Sequence, residues 1–176
     1  EFLKYMSEYN FGLKTNIDLA GEARTASLVF NSSTMGPTEL ATSSFGQGFN
    51  VTMIQMITGF CSLINGGYYY EPHVVKQIVT EDDRLVKNYS KTLVKQTVTK
   101  STSDYIKQCL RAVVTEGTGS TAAIDGYTIG GKTGTAEKVN TSGTGIGRLK
   151  NQYILSFLGC APCENPQVVC YTLMDT

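Results

Sequence analysis

Apolar residues recur at helical intervals in two stretches of this chain and at strand-like spacing in five others. Met53, Ile54, Ile57, Phe60, Cys61 and Ile64 follow a 3.6-residue period, which predicts a helix over 52–65. Thr52 and Gln55 have the capping-box spacing that starts such a helix. Gly66-Gly67 supplies the left-handed residue that ends it. Tyr105, Ile106, Cys109, Leu110, Val113 and Val114 line a second apolar face, predicting a helix over 101–116 that Gly117 stops. Residues 68–80 read as extended, with Pro72 near the start and Val74, Val75, Ile78 and Val79 after it. Glu81-Asp82-Asp83-Arg84 turns into a further extended piece, 85–98. From there on the pattern is β, over 127–139, 153–160 and 168–174. A turn holding Pro162 and Pro166 joins the last two, so they are expected to pair antiparallel.

The N-terminal part is less regular. Residues 3–10 read as a short helix end broken by Phe11-Gly12-Leu13. Residues 16–48, rich in Gly, Ser, Thr and Asn, are expected to be irregular with short elements. The whole predicts an α/β chain of the α+β type: an antiparallel sheet of 127–139, 153–160 and 168–174, with both helices packed outside it.

Length and charge narrow the function. The 176 residues suit one domain, and a chain of this size buries roughly 70% of its unfolded surface. Lys and Arg number 15 against 15 Asp and Glu, a net charge of +0 that argues against nucleic acid as a partner. With 17% charged and 41% hydrophobic residues, disorder is excluded as well. The most apolar uncharged stretch, 51–70, carries Thr52, Gln55, Thr58, Ser62, Asn65, Gly66 and Gly67, too polar for a membrane span. The chain opens at Glu1 in mid-pattern and stops after Val168–Met174, which reads as an excised fragment whose targeting segment lies elsewhere.

Three side-chain clusters draw attention and read as structural. Cys160-Ala-Pro-Cys163 has redox CxxC spacing, but Glu164-Asn165-Pro166 makes a turn where a redox motif starts a helix. A zinc site needs a fourth ligand, for which Cys170 and the single His73 are distant candidates, so apolar strand cysteines beside a loop is the simpler reading. His73, just after Pro72, has no Ser or Asp at a triad-like spacing. Tyr68-Tyr69-Tyr70 reads as the start of a partly buried strand with aromatic edges exposed.

Candidate chemistry concentrates in Gly130-Gly131-Lys132-Thr133-Gly134-Thr135. Gly126-x4-Gly131-Lys132-Thr133 matches the phosphate-binding loop, and a second element can be forced from Val168, Val169, Met174 and Asp175. That loop should open a helix. Here only the short Ala122-Ala123-Ile124-Asp125 precedes it, and Thr141, Gly143, Thr144, Gly145 and Gly147 follow. The competing reading puts the motif on a strand at the edge of a site. Lys132 then supplies a point charge, Thr133 and Thr135 supply hydroxyls on one face, and Gly134 lets a ligand approach the backbone. Such a strand can receive a carboxylate beside a reacting carbonyl, and its amides can stabilise an oxyanion. Lys-Thr-Gly is one of three elements of penicillin-interacting serine enzymes.

Its surroundings resemble the penicillin-binding protein transpeptidase family nearly throughout and in order, most closely the class B, high-molecular-weight type. Residues 44–78, SFGQGFNVTMIQMITGFCSLINGGYYYEPHVVKQI, resemble that family's Gly-x-Gly turn, Thr-x-x-Gln helix, Asn-Gly-Gly end and Pro-His-x-Val. Val113-Val114-Thr115-Glu116-Gly117-Thr118-Gly119, GGKTGTAEK over 130–138, and Phe157–Pro162 with Asn165-Pro166 resemble further segments. FGLKTNIDLAGE over 11–22 resembles another, with Asn16 for a usual Gly and Ala20 for a usual Pro. No Ser in the chain begins Ser-x-x-Lys or Ser-x-Asn, the family's other two motifs.

The resemblance implies a partial transpeptidase domain over 1–176, with the first two motifs and the closing helix outside it. It implies a parent D,D-transpeptidase that cross-links peptidoglycan stem peptides ending in D-Ala–D-Ala and is acylated by β-lactams. By motif match Lys132 and Thr135 are catalytic, and Thr133, Gly134 and Thr135 bind the donor. No metal or cofactor is implied. Other cell-wall synthesis proteins are possible partners, and the setting is the extracytoplasmic face of the bacterial membrane, reached through an N-terminal anchor. A non-catalytic binding or scaffolding module and a phosphate-loop nucleotide-binding protein remain as alternatives. Carboxypeptidases and β-lactamases share the third motif.

Overall fold

The computed structural model describes residues 1–139 and 147–176. In chain order the elements are α1 Phe2–Glu8, a 3₁₀ turn Ala26–Leu28, α2 Pro37–Ser43, α3 Met53–Ile64, and strands β1 Tyr68–Tyr70, β2 Gln77–Val79, β3 Leu85–Asn88 and β4 Leu93–Gln96. Then come α4 Lys100–Thr115, a 3₁₀ turn Ser120–Ala122, and strands β5 Gly130–Val139, β6 Arg148–Ala161 and β7 Val168–Asp175.

The two periodic stretches form the helices expected of them. Thr52 Oγ1 accepts from Gln55 N at 3.2 Å, and Gln55 Oε1 accepts from Thr52 N at 2.9 Å, a reciprocal cap on α3. Past its end Gly66 and Gly67 take φ of 98° and 96°. At α4 the Thr99 hydroxyl accepts from Thr102 N, which starts the helix one residue ahead of the apolar pattern.

β5, β6 and β7 form one antiparallel sheet with β6 in the middle. Leu158 lies opposite Lys132 and Tyr171, and Cys160 opposite Gly130 and Val169, so these six share one face. Both helices cover that face, α4 over β5 and α3 over β7. The core there joins Phe60 and Ile64 of α3, Leu110 of α4, and Leu158 and Cys160 of β6. On the opposite face the Phe157 ring lies over Gly131 and Gly159, while Leu155, Val168 and Met174 are exposed. β6 begins at Arg148, five residues before the apolar signal at Tyr153, because Arg148, Lys150, Asn151 and Gln152 form the solvent-facing end of the β5–β6 hairpin.

The two long extended pieces are each broken, and the breaks have one cause. Pro72 has no amide to give a ladder, and the amides of Val74 and Val75 bond the Asp18 carboxylate at 2.8 and 2.9 Å. The outgoing strand therefore splits into β1 and β2. The returning chain splits to match, with β4 pairing β1 and β3 pairing β2. Within the irregular N-terminal third, Asn16 sits at φ 61°, a left-handed conformation that Asn adopts more readily than most residues. Glu22 holds this turn by accepting from Thr15 N, Thr15 Oγ1 and Asn16 N.

The phosphate-loop alternative is contradicted by this fold. Lys132 and Thr133 lie inside β5, with no helix starting at either. Gly130 and Gly131 are small for packing reasons. Cys163 Sγ and the α4 backbone occupy the space a side chain on Gly130 would need, and the Phe157 ring does so at Gly131. The expectation that no helix forms at Thr141, Gly143, Thr144 and Gly145 lies outside the described residues. No helix among the described residues is long and apolar enough to cross a membrane.

Candidate functional site

β5 is an edge strand, hydrogen-bonded to β6 on one side and to no described strand on the other. Lys132, Thr133, Gly134 and Thr135 lie consecutively along it, so their side chains alternate between faces. Thr133 pairs with Phe157 and Thr135 with Leu155, which places both hydroxyls on the face away from α4. Lys132 and Gly134 lie on the α4 face, opposite Leu158 and Ser156. Lys132 is nonetheless exposed, at the rim of the sheet, and its Nζ donates to the Thr133 carbonyl at 2.7 Å. A ligand laid along this edge would meet an ammonium from one side and two hydroxyls from the other.

Two neighbours add to the motif. The Thr118 and Thr133 hydroxyls are 2.8 Å apart, joining the segment after α4 to the middle of the motif. That contact holds the Thr133 hydroxyl in one direction. A Cβ built on Gly134 would lie 2.5 Å from Ser156 Oγ, so the glycine leaves room for this hydroxyl on the same face. Sequence reading assigned no role to Thr118 or Ser156. The Gly117-Thr118-Gly119 run marked a helix end, and only the fold brings it against β5. The start of β5 is held by Arg111, which donates from Nη1 to the Ile129 carbonyl at 3.1 Å.

Beyond Thr135 an open cavity of about 390 Å³ is lined by Thr42, Phe45, Gln47, Thr135, Glu137, Arg148 and Tyr153. Arg148 donates from Nη1 to the Glu137 carbonyl at 2.9 Å and stands 3.8 Å from its carboxylate, closing one side. Gln47 is held between Gly46 and Gly48, whose φ values of 89° and 96° make the Gly-x-Gly turn. Phe45 beside it is 71% exposed, an aromatic wall offered to solvent. The turn was legible in the sequence; its meeting with Thr135 was not. A larger cavity of about 620 Å³ lies elsewhere, between α3, β1 and the β6–β7 turn, lined in part by Ile54, Ile57, Ile64 and Val169. It includes none of the four motif residues.

The side candidates fall apart from this strand. His73 is exposed on the β1–β2 connection, next to the Asp18 carboxylate, whose bonds to Val74 and Val75 hold it below the usual carboxylate range. Tyr69 is buried while Tyr68 is exposed, the alternation of a strand with one covered face. Among the described residues no three His, Cys, Asp or Glu side chains are grouped to hold a metal ion.

The model of the penicillin binding protein transpeptidase domain family matches residues 1–176. Stage V sporulation protein D of Bacillus subtilis is 40% identical over 176 residues, which are 99% of this chain and 26% of that protein. The probable peptidoglycan D,D-transpeptidase PenA of Neisseria meningitidis serogroup B is 31% identical over 179 residues, 99% of this chain and 27% of that protein. Among solved structures, penicillin-binding protein 3 from Mycobacterium tuberculosis complexed with ampicillin superposes with a TM-score of 0.89 at 28% identity, covering 99% of this chain and 39% of that one. The chain thus spans about a quarter of the length of the curated relatives it matches.

Proposed function

The chain belongs to the penicillin-binding protein transpeptidase family, and from that premise we propose that the protein carrying it is a serine D,D-transpeptidase of peptidoglycan synthesis. Residues 1–176 are the C-terminal portion of its transpeptidase domain. They supply the Lys132–Thr135 strand, and the nucleophile is a Ser outside them, because no Ser here has a Lys three residues on.

The observation that carries this reading is the edge position of β5, with its cation and two hydroxyls divided between the faces. An extended peptide can add to an open strand edge through backbone hydrogen bonds, and side chains along the edge then set specificity. The donor stem peptide lies there with its terminal carboxylate at the Thr133 and Thr135 hydroxyls. The Ser oxygen, its proton taken by the Lys of Ser-x-x-Lys, attacks the D-Ala–D-Ala carbonyl, and the Thr135 amide donates to the developing oxyanion. Lys132 adds positive charge beside the nucleophile, favouring its alkoxide character and the anionic tetrahedral state. The tetrahedral species collapses to an acyl-serine as that proton passes to the leaving D-Ala nitrogen, and an amine of a neighbouring stem peptide then takes the acyl group, returning its proton to the serine oxygen. Thr118 orients the Thr133 hydroxyl, and Gly134 keeps the edge clear of a side chain. These steps use no metal or cofactor. A β-lactam takes the donor's place and stops at the acyl stage. The cross-linking reaction belongs on the extracytoplasmic face of the bacterial membrane, where stem peptides meet.

Intact-mass spectrometry after treatment with benzylpenicillin tests this. The 176-residue chain is expected to carry no stable adduct, and the longer protein containing Ser-x-x-Lys is expected to carry one. An adduct mapped to a Ser within 1–176 would misplace the nucleophile. A longer protein that stays unmodified would overturn the transpeptidase reading.

A further inference from the structure

Two sulfur atoms converge behind the start of β5. Cys160 lies directly opposite Gly130 in the β5–β6 ladder. Directly opposed residues carry their Cβ atoms about 4.5–5.5 Å apart on one face. Gly130 has no Cβ, and Cys163 Sγ occupies the space where one would be. The Cys163 sulfur therefore lies beside the Cys160 side chain, and its thiol donates to the Lys107 carbonyl of α4 at 3.3 Å. β6 ends at Ala161, and Cys163 lies in the turn over 162–167 that leads to β7, so the CxxC spacing is met by a strand end and a turn instead of a helix.

The pair is covered from most directions, at 3% and 2% exposure. One side stays open: Cys163 lines a cavity of about 360 Å³ with Asp104, Lys107, Gln108, Arg111 and Glu164. We propose that Cys160 and Cys163 form a redox site, making a reversible intrachain disulfide by exchange with a small-molecule disulfide that enters through this cavity. The inference goes beyond the transpeptidase reading and does not rest on it.

The exchange balances in two steps. The Cys163 thiol loses its proton, and the thiolate attacks one sulfur of the external disulfide, forming a mixed disulfide and expelling one thiolate. Cys160, on losing its own proton, attacks the Cys163 sulfur and expels the second. Two protein thiols are oxidised by two electrons, and one disulfide is reduced to two thiols. The order follows from access, since Cys163 lines the cavity and Cys160 lies behind it in the core.

Acidity agrees with that order. Burial pushes the Cys160 thiol up to about 12, with Cys163 and Cys61 adding to the rise and the Gly130 amide opposing it. Burial and Glu164 also raise Cys163, whereas the neighbouring Cys160 and the Arg111 and Lys107 cations on the cavity wall lower it. Exchange is therefore slow near neutrality and accelerates by about tenfold per pH unit as the thiolates form. Because Cys163 bears on Gly130, two residues before Lys132, the bond anchors the β6–β7 turn against the start of the strand that carries the motif.

The competitors are identifiable. Cys170 pairs with Gly159 and so points to the other face of the sheet, Cys109 is exposed on α4, and Cys61 is partly buried on α3. The test exposes the reduced full chain to oxidised glutathione, alkylates the remaining thiols, and maps every cysteine by mass spectrometry. The expected product is a Cys160–Cys163 link with loss of about 2 Da, and Cys61 alkylated. Cys160→Ser should leave one glutathione trapped on Cys163, whereas Cys163→Ser should leave Cys160 a free thiol. A Cys61–Cys160 link would overturn the inference. So would Cys160 and Cys163 both remaining alkylable while Cys109 and Cys170 take up glutathione.

Discussion

Gly131 and Lys132 are neighbours under different constraints. A Cβ on Gly131 would run into the Phe157 ring and lie 2.9 Å from the Leu158 carbonyl oxygen, part of the sheet backbone that cannot step aside. Gly131→Ala is expected to cost about 2 kcal/mol through overpacking, measured by urea denaturation. An unchanged midpoint would show that Phe157 gives way freely. Lys132, by contrast, packs against little, and its removal should leave stability nearly unchanged. At this scale the sequence was legible wherever alternation alone decides direction: Thr133 and Thr135 share a face because they are two apart on a strand. It was silent on Thr118, because a contact between a helix-end residue and a strand 15 residues later is set by how α4 packs on the sheet.

α3 shows how a pattern read locally gains a long-range role. Its apolar period and its cap were both visible, but Gln55 does more than close the capping box. It is fully buried, its Oε1 also accepts from the Thr25 hydroxyl at 3.0 Å, and its Nε2 donates to the Leu13 carbonyl. One side chain thus ties the irregular N-terminal segment to the helix. Thr52→Ala removes a cap bond and should cost about 1 kcal/mol. Gln55→Ala leaves the Leu13 carbonyl and the buried Thr25 hydroxyl without this partner, on top of losing the cap, and should cost about 3 kcal/mol. Thermal denaturation of the two variants side by side checks the order, and equal losses would mean that only the cap matters. α2 is one of the short elements expected within the irregular segment, and Pro37 at its start and Glu39 bonding back to Gly36 N are start signals of the usual kind. The broken strands could not be foreseen, since Asp18 takes the amides of residues 56 and 57 positions away.

At the scale of the whole molecule, one face of the sheet is covered by α3 and α4 and the other presents Leu155, Val168 and Met174 beside edges of β5 and β7 that pair with no described strand. Exposed apolar sheet with open edges favours association. The 176-residue chain is therefore expected to show a concentration-dependent size in sedimentation, and a strictly monomeric chain at high concentration would contradict this. The architecture itself was readable because two strong helical periods and three apolar strands joined by short turns admit few arrangements. Choosing between a phosphate loop and an edge strand from the letters Gly-Lys-Thr needed the flanking elements. In the proposed transpeptidase Lys132 acts on the reacting serine from an edge strand, and the rate of penicillin acylation in the longer protein measures that role. Lys132→Ala is predicted to slow acylation by about 10²–10³ with folding intact, and Thr135→Ala to slow it less because its backbone amide remains. A Lys132→Ala protein that acylates at the unmodified rate would remove Lys132 from the chemistry.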